Sequence, residues 1–120
     1  MRRLLFALGL TGLVACSPEW TVYGEEVDID ALRSDAVSVS EGVAQRVGPV
    51  TVEGEIGAVC TAGCWFRMMD SSELLFVRRD ESTAWVIPSD SGGELAVARG
   101  SLAGEGESLE LIATTVGILD

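Results

Sequence analysis

Two cysteines four residues apart, Cys60 and Cys64, carry most of the chemistry open to this chain. They bracket Thr61, Ala62 and Gly63. A three-residue hairpin loop uses a type I turn followed by a residue at positive φ, and Gly63 stands in that slot. Opposed residues of an antiparallel pair have Cα atoms ~4.5–5.5 Å apart, inside the ~4.4–6.8 Å that a disulfide accepts. Three chemistries fit such a pair. One is a disulfide that pins the hairpin; closing so short a loop stabilises by less than the ~3 kcal/mol of a 15-residue loop. Another is a soft-metal site, in which two thiolates and the Met68 thioether hold an ion such as Cu(I). Zinc suits the set less, since four ligands are usual and no imidazole is available. The third is a redox-active dithiol. The only cation close in sequence is Arg67, which a period of two places on the opposite face, so little acts to lower a thiol pKa.

What is missing narrows the field further. The chain of 120 residues has no histidine and no lysine. Serine and cysteine catalysis through an imidazole base, imidazole metal sites, P-loop lysines and Schiff-base chemistry are all excluded. No catalytic residue is assigned, no cofactor is expected outside the Cu(I) alternative, and the chain reads as a non-enzyme.

The elements that hold the cysteines read as β. Residues 50–59, Val-Thr-Val-Glu-Gly-Glu-Ile-Gly-Ala-Val, are rich in β-branched types, with glycines that mark a bent or bulged strand. Further strands are expected over residues 65–69, 73–78, 94–102 and 108–116, separated by Asp70-Ser71-Ser72, by a loop over 80–93 and by Gly104-Glu105-Gly106. Alternation places Ile56, Ala58 and Cys60 on one face with Cys64, Phe66 and Met68, the more apolar side, with the thiols at the edge of the core. Five strands in so short a domain predict a mainly β fold, a small five-stranded OB-like antiparallel barrel whose bent first strand serves both halves of the sheet. A β-sandwich is the competing shape. Over residues 25–48, Val27, Ile29 and Leu32 suit one face of a helical turn, and Val37 and Val39 suit a strand.

The N-terminus carries a different signal. Arg2 and Arg3 precede an apolar run over residues 4–13, which ends Leu13-Val14-Ala15-Cys16. The run is shorter than the roughly 20 residues that a membrane-spanning helix needs. The segment resembles bacterial lipoprotein signal peptides, with Cys16 as the acylated first residue of the mature protein. That resemblance implies a signal peptide over residues 1–15, a lipidated tether over 16–24 and one barrel domain over 25–120. It implies attachment to a membrane of the bacterial cell envelope, facing the periplasm. Ser17 in place of an aspartate behind the lipidated cysteine favours the outer membrane. Trp20 and Tyr23, just behind the anchor, suit a membrane–water interface. With Cys16 acylated, two cysteines remain in an oxidising compartment, an even count.

Charge constrains the partners. Arg2 and Arg3 leave with the signal, so six arginines face 19 acidic residues, a formal −13. Such a surface repels phosphate backbones, which excludes nucleic acid, and leaves acyl chains as the membrane attachment. The expected partner is an envelope protein or a small ligand. Trp65 and Trp85 are candidates for an aromatic ligand surface, although core or rim packing suits large aromatics in so small a domain better. Glu25, Glu26, Asp28 and Asp30 lack the EF-hand pattern and read as a solvated acidic face.

A wider resemblance runs from about Tyr23 to the C-terminus. Val50-Thr51-Val52-Glu53-Gly54-Glu55-Ile56, then Val59-Cys60 and Gly63-Cys64-Trp65, and later Val86-Ile87-Pro88, resemble a bacterial family of small exported DUF4920-type domains. The cysteines stand one residue closer here than in that pattern. The resemblance implies an OB-like fold of uncharacterised activity and draws attention to the cysteines.

Overall fold

The computed structural model describes residues 19–45 and 48–120. The signal peptide, Cys16 and the first residues of the expected tether lie outside the described residues. The chain runs β1 (Trp20–Gly24), α1 (Ile29–Ser34), β2 (Val37–Ser38), α2 (Val39–Gln45), β3 (Pro49–Val59), β4 (Trp65–Met69), β5 (Leu74–Arg79), β6 (Leu95–Ala103), a 3₁₀ turn (Gly106–Ser108) and β7 (Glu110–Leu119).

Strands β3, β4, β5, β7 and β6 close on one another in that order, so the barrel has no open edge. This is the OB-like barrel expected from the sequence, with one difference: β5 and β7 run parallel, Phe76 opposite Glu110 and Arg79 opposite Ala113. A crossover of some thirty residues separates those two strands, so no hairpin forces them antiparallel. The long β3 serves two neighbours within the barrel, pairing with β6 through Glu55 and with β4 from Glu55 onward. Its inward residues Val50, Val52 and Ile56 meet Phe66, Met68, Leu75, Val77, Ala98, Leu111 and Val116 in one core.

Two features depart from the sequence reading. Residues 20–24, expected as tether, form β1, antiparallel to the end of β7 with Trp20 opposite Leu119. Trp20 and Tyr23 are therefore sheet residues: the Arg33 guanidinium lies 4.7 Å from the Trp20 ring centre, and Tyr23 packs on the core. Residues 25–48 hold a helix around Leu32 and a short strand at Val37 that pairs parallel with β3, while Val39, expected in that strand, opens α2 instead. Asp28 caps α1, with Asp30 in its first turn and Arg33 in its last, the charge order that a helix dipole favours.

α2 is seated against the barrel. A Cβ at Gly42 would lie 2.3 Å from Val52, and fully buried Val39 reaches the core beside Gly54 and Met68. Asp70, at the turn after β4, ties the helix down. Its carboxylate accepts from the Ser40 hydroxyl at 2.7 Å and the Ser40 N–H at 2.8 Å, and from the N–H groups of Ser72 and Glu73. The Ser40 hydroxyl, followed by these N–H groups, holds Asp70 well below the usual carboxylate range. A depressed folded-state pKa makes this contribution complete above about pH 4 and progressively lost as pH falls towards the folded value. Asp70→Asn is therefore expected to lower the urea midpoint at neutral pH. The difference from the parent should shrink as both are titrated into acid.

Candidate functional site

The hairpin between β3 and β4 brings the two cysteines together by a route that simple alternation did not anticipate. Ile56 pairs with Met68 but Val59 pairs with Phe66, so Gly57 and Ala58 together oppose Arg67 in a β-bulge. The extra residue flips the phase: Ala58 is exposed, and the shared face expected for Ile56, Ala58 and Cys60 does not exist. Gly57 lies in the bulge, close under the Met69 methyl. Beyond it the Cys60 N–H donates to the Trp65 carbonyl at 3.0 Å, so Cys60 faces Trp65 and not Cys64. The turn closes with the Gly63 N–H on the Cys60 carbonyl at 2.8 Å, and Gly63 takes φ +75°, the left-handed conformation expected of it. Cys64 follows as an extra loop residue, and the Sγ atoms stand 3.5 Å apart as free thiols, the Cys64 S–H directed at Cys60.

A strap of residues 85–88 holds the turn from outside. The Ile87 N–H donates to the Gly63 carbonyl at 3.1 Å, and a Cβ on Gly63 would meet the Ile87 carbonyl oxygen at 2.3 Å. Arg79 closes the other flank: its N–H donates to the Cys64 carbonyl at 3.2 Å and its guanidinium to the Trp85 carbonyl at 3.4 Å. The two thiols differ electrostatically. The Ala62 N–H, then the Cys64 thiol and other turn N–H groups, lower the Cys60 pKa. Donation to Cys60, helped by partial burial and the neighbouring Cys60 charge, raises that of Cys64, against which the Arg79 charge acts. Sequence reading missed Arg79, because it arrives through the β4–β5 register (Trp65 opposite Arg78) and not through sequence proximity.

The other candidates fall elsewhere. Met68 is fully buried, paired with Ile56 and packed beside Gly54; four strand residues, roughly 13 Å, separate it from Cys64. It is not brought to the thiols. Among the described residues no group of three or more His, Cys, Asp or Glu could hold a metal ion. Trp85 is no ligand surface either: it is 3% exposed, its indole N–H donates to the Ala113 carbonyl at 2.7 Å, and its ring lies 5.9 Å from that of Phe66. Its burial corrects the expectation of an aromatic surface at that position.

Trp65 does lie on the outside, its ring 5.3 Å from that of Phe76 on β5. The outward side chains of β4 and β5 here include Trp65, Arg67, Leu74, Phe76 and Arg78, while Phe66, Met68, Leu75 and Val77 point inward. Against this face Val43 of α2 and the 3₁₀ turn with Glu107 and Leu109 bound a groove of about 830 Å³, lined by Arg67, Leu74 and Phe76. Leu74 is 51% exposed in it. Arg78 is engaged by Glu110 at 2.8 Å, whereas Arg67 makes no ion pair among the described residues. The alternation Leu74, Phe76, Arg78 was visible in the sequence, but not the helix and turn that convert a flat face into a groove.

No family model matches the chain, and no curated protein matches it. Among solved structures it is similar to that of the hypothetical protein YgiW from E. coli, with a TM-score of 0.50 and 15% identity over 68% of this chain and 86% of that one. At that identity the likeness concerns the fold, an OB-like barrel.

Proposed function

We propose that this is a lipid-anchored cell-envelope protein, attached through Cys16 to the periplasmic face of the outer membrane, whose barrel is a binding module. Its affiliation with the DUF4920-type exported domains belongs to the same proposal. The observation that carries the binding role is the groove on the outer face of β4 and β5, with a volume inside the ~300–1,000 Å³ typical of small-ligand sites. In OB-like barrels the corresponding face, the second and third barrel strands with their bounding loops, is where ligands sit. Leu74 and Phe76 offer apolar contact, and Arg67 is the one cation of a lining that also holds Glu73, Glu107 and the Arg78-paired Glu110, so the groove suits a ligand with an apolar body and a single anionic group seated at Arg67.

At the far end of β5, Cys60 and Cys64 close into a disulfide in the oxidising envelope, a bond reached from 3.5 Å by small side-chain rotations. The soft-metal alternative retains only the two thiols, since Met68 is committed to the core.

The ligand class is tested with indole-3-acetate and uncharged indole as probes, on the full chain carrying Cys16→Ser. Binding of the acid is expected to exceed that of indole, and Arg67→Gln to abolish the difference while leaving the unfolding midpoint unchanged. Equal binding of both probes by the parent would overturn this ligand class.

A further inference from the structure

We infer that Cys60 and Cys64 form a dithiol–disulfide exchange site with fixed roles, Cys60 attacking an accessible disulfide and Cys64 resolving the mixed disulfide. The inference rests on the disulfide proposed above and adds a direction to it.

Three observations carry it. The hairpin does not depend on a covalent bond for its shape. Hydrogen bonds from Gly63 to Cys60, Cys60 to Trp65, Ile87 to Gly63 and Arg79 to Cys64 fix the turn on all sides. Making or breaking an S–S bond therefore moves little else, and the loop is too short for the bond to gain much chain entropy. A bond that adds little stability is easily reduced, unlike deeply structural disulfides.

The surroundings of the two sulfurs are also unequal. The Cys64 S–H is directed at the Cys60 sulfur at 3.5 Å, a donor to Cys60 that stabilises its thiolate and that Cys64 does not receive in return. Cys64 is the donor and has the Arg79 guanidinium as its nearby cation. That charge favours the Cys64 thiolate once its proton has gone.

Access completes the case. Both cysteines are half-buried, exposed Thr61 and Ala62 form the tip of the turn, and the 52% exposed Val86 flanks Gly63 with an apolar side chain.

The Cys60 thiolate attacks one sulfur of a disulfide R–S–S–R′, forming Cys60–S–S–R and releasing R′–S⁻. Cys64 gives its proton to solvent and attacks the Cys60 sulfur, expelling R–S⁻. The pair is oxidised by two electrons, and the partner disulfide, reduced by two, takes up two protons as its thiols.

The test uses the reduced full chain carrying Cys16→Ser, near neutral pH, with oxidised glutathione and, separately, a disulfide-bridged peptide. Products are followed by mass. Adding Cys64→Ser should trap one mixed disulfide at Cys60 about ten times faster than adding Cys60→Ser traps one at Cys64. With both cysteines present the adduct should be transient and end as the intramolecular disulfide. Reaction with glutathione alone marks a small-molecule source, and reaction with both probes an accessible disulfide of either kind; each supports exchange. Equal rates, or faster capture at Cys64, overturn the assigned roles and leave the disulfide proposal standing. No oxidised product with either probe overturns both. Peptide-level mapping of iodoacetamide on the parent repeats the comparison without a serine variant: Cys60 must be modified first, and the reverse order overturns the roles.

Discussion

Trp85→Ala is expected to cost about 3–5 kcal/mol of folding stability, the range for removing a large buried aromatic. That is a large share of the 5–15 kcal/mol that holds a domain folded. Trp85 covers the core under the loop between β5 and β6. Residues 80–94 form no helix or strand, so this ring, with Ile87, supplies the apolar cover. It contacts Phe66 inside the barrel, and its indole carbon lies against Gly24 of β1. Packing dominates over the hydrogen bond. The Ala113 carbonyl that receives the indole N–H also accepts the Asp80 N–H at 3.0 Å, so removing the indole leaves no orphaned acceptor. Trp85→Phe should therefore keep most of the stability, with a hydrogen-bond loss of about 1 kcal/mol. Chemical denaturation of the pair checks this. A phenylalanine variant as unstable as the alanine variant would shift the weight from packing to the hydrogen bond.

Gly63→Ala is expected to have the second largest effect, for a different reason. A side chain at φ +75° costs about 1–2 kcal/mol on its own. The new Cβ would also lie 2.3 Å from the Ile87 carbonyl oxygen, and backbone cannot rotate away as a side chain would. The strap must retreat, breaking the Ile87 to Gly63 hydrogen bond and loosening Trp85 behind it. Gly63→Asn separates the two causes, because asparagine tolerates left-handed backbone but still carries a Cβ. Both variants should be destabilised to a similar degree in thermal unfolding, since the steric contact outweighs the backbone preference. A mild asparagine variant beside a severe alanine variant would show φ to be the stronger cause.

These two residues also show what the sequence could and could not reveal. The strands were legible because β-branched runs and glycine-rich turns punctuate residues 50–119 at short intervals. Gly63 takes the positive φ expected of it, although the loop is one residue longer than the three read from the sequence. The thiols were expected to meet, and they do, yet through a different register. One extra residue at Gly57-Ala58 reverses the alternation, and period-two reasoning has no means of locating such a bulge. That error placed Ala58 inside; Met68 lies four residues from Cys64 along its own strand, whatever the register of β3. Trp85 was ambiguous because a tryptophan beside a proline loop suits a rim or a core equally until its neighbours are known. Tertiary pairing decided the N-terminus: Trp20–Gly24 stands just behind the expected lipid anchor and read as tether, and the half of β7 beyond its pairing with β5 makes it a strand. Arg79 and the groove under Val43 are products of topology, assembled from β4, β5, α2 and the turn before β7.

The central claim is that the outer face of β4 and β5 is the ligand surface, and backbone amide mapping tests it most directly. Indole-3-acetate is titrated into the full chain carrying Cys16→Ser while every assigned amide is followed by NMR. The account predicts shifts concentrated at Arg67, Leu74 and Phe76 and over the turn from Glu107 to Leu109. Shifts centred on another surface, or no localised response at millimolar probe, would contradict it.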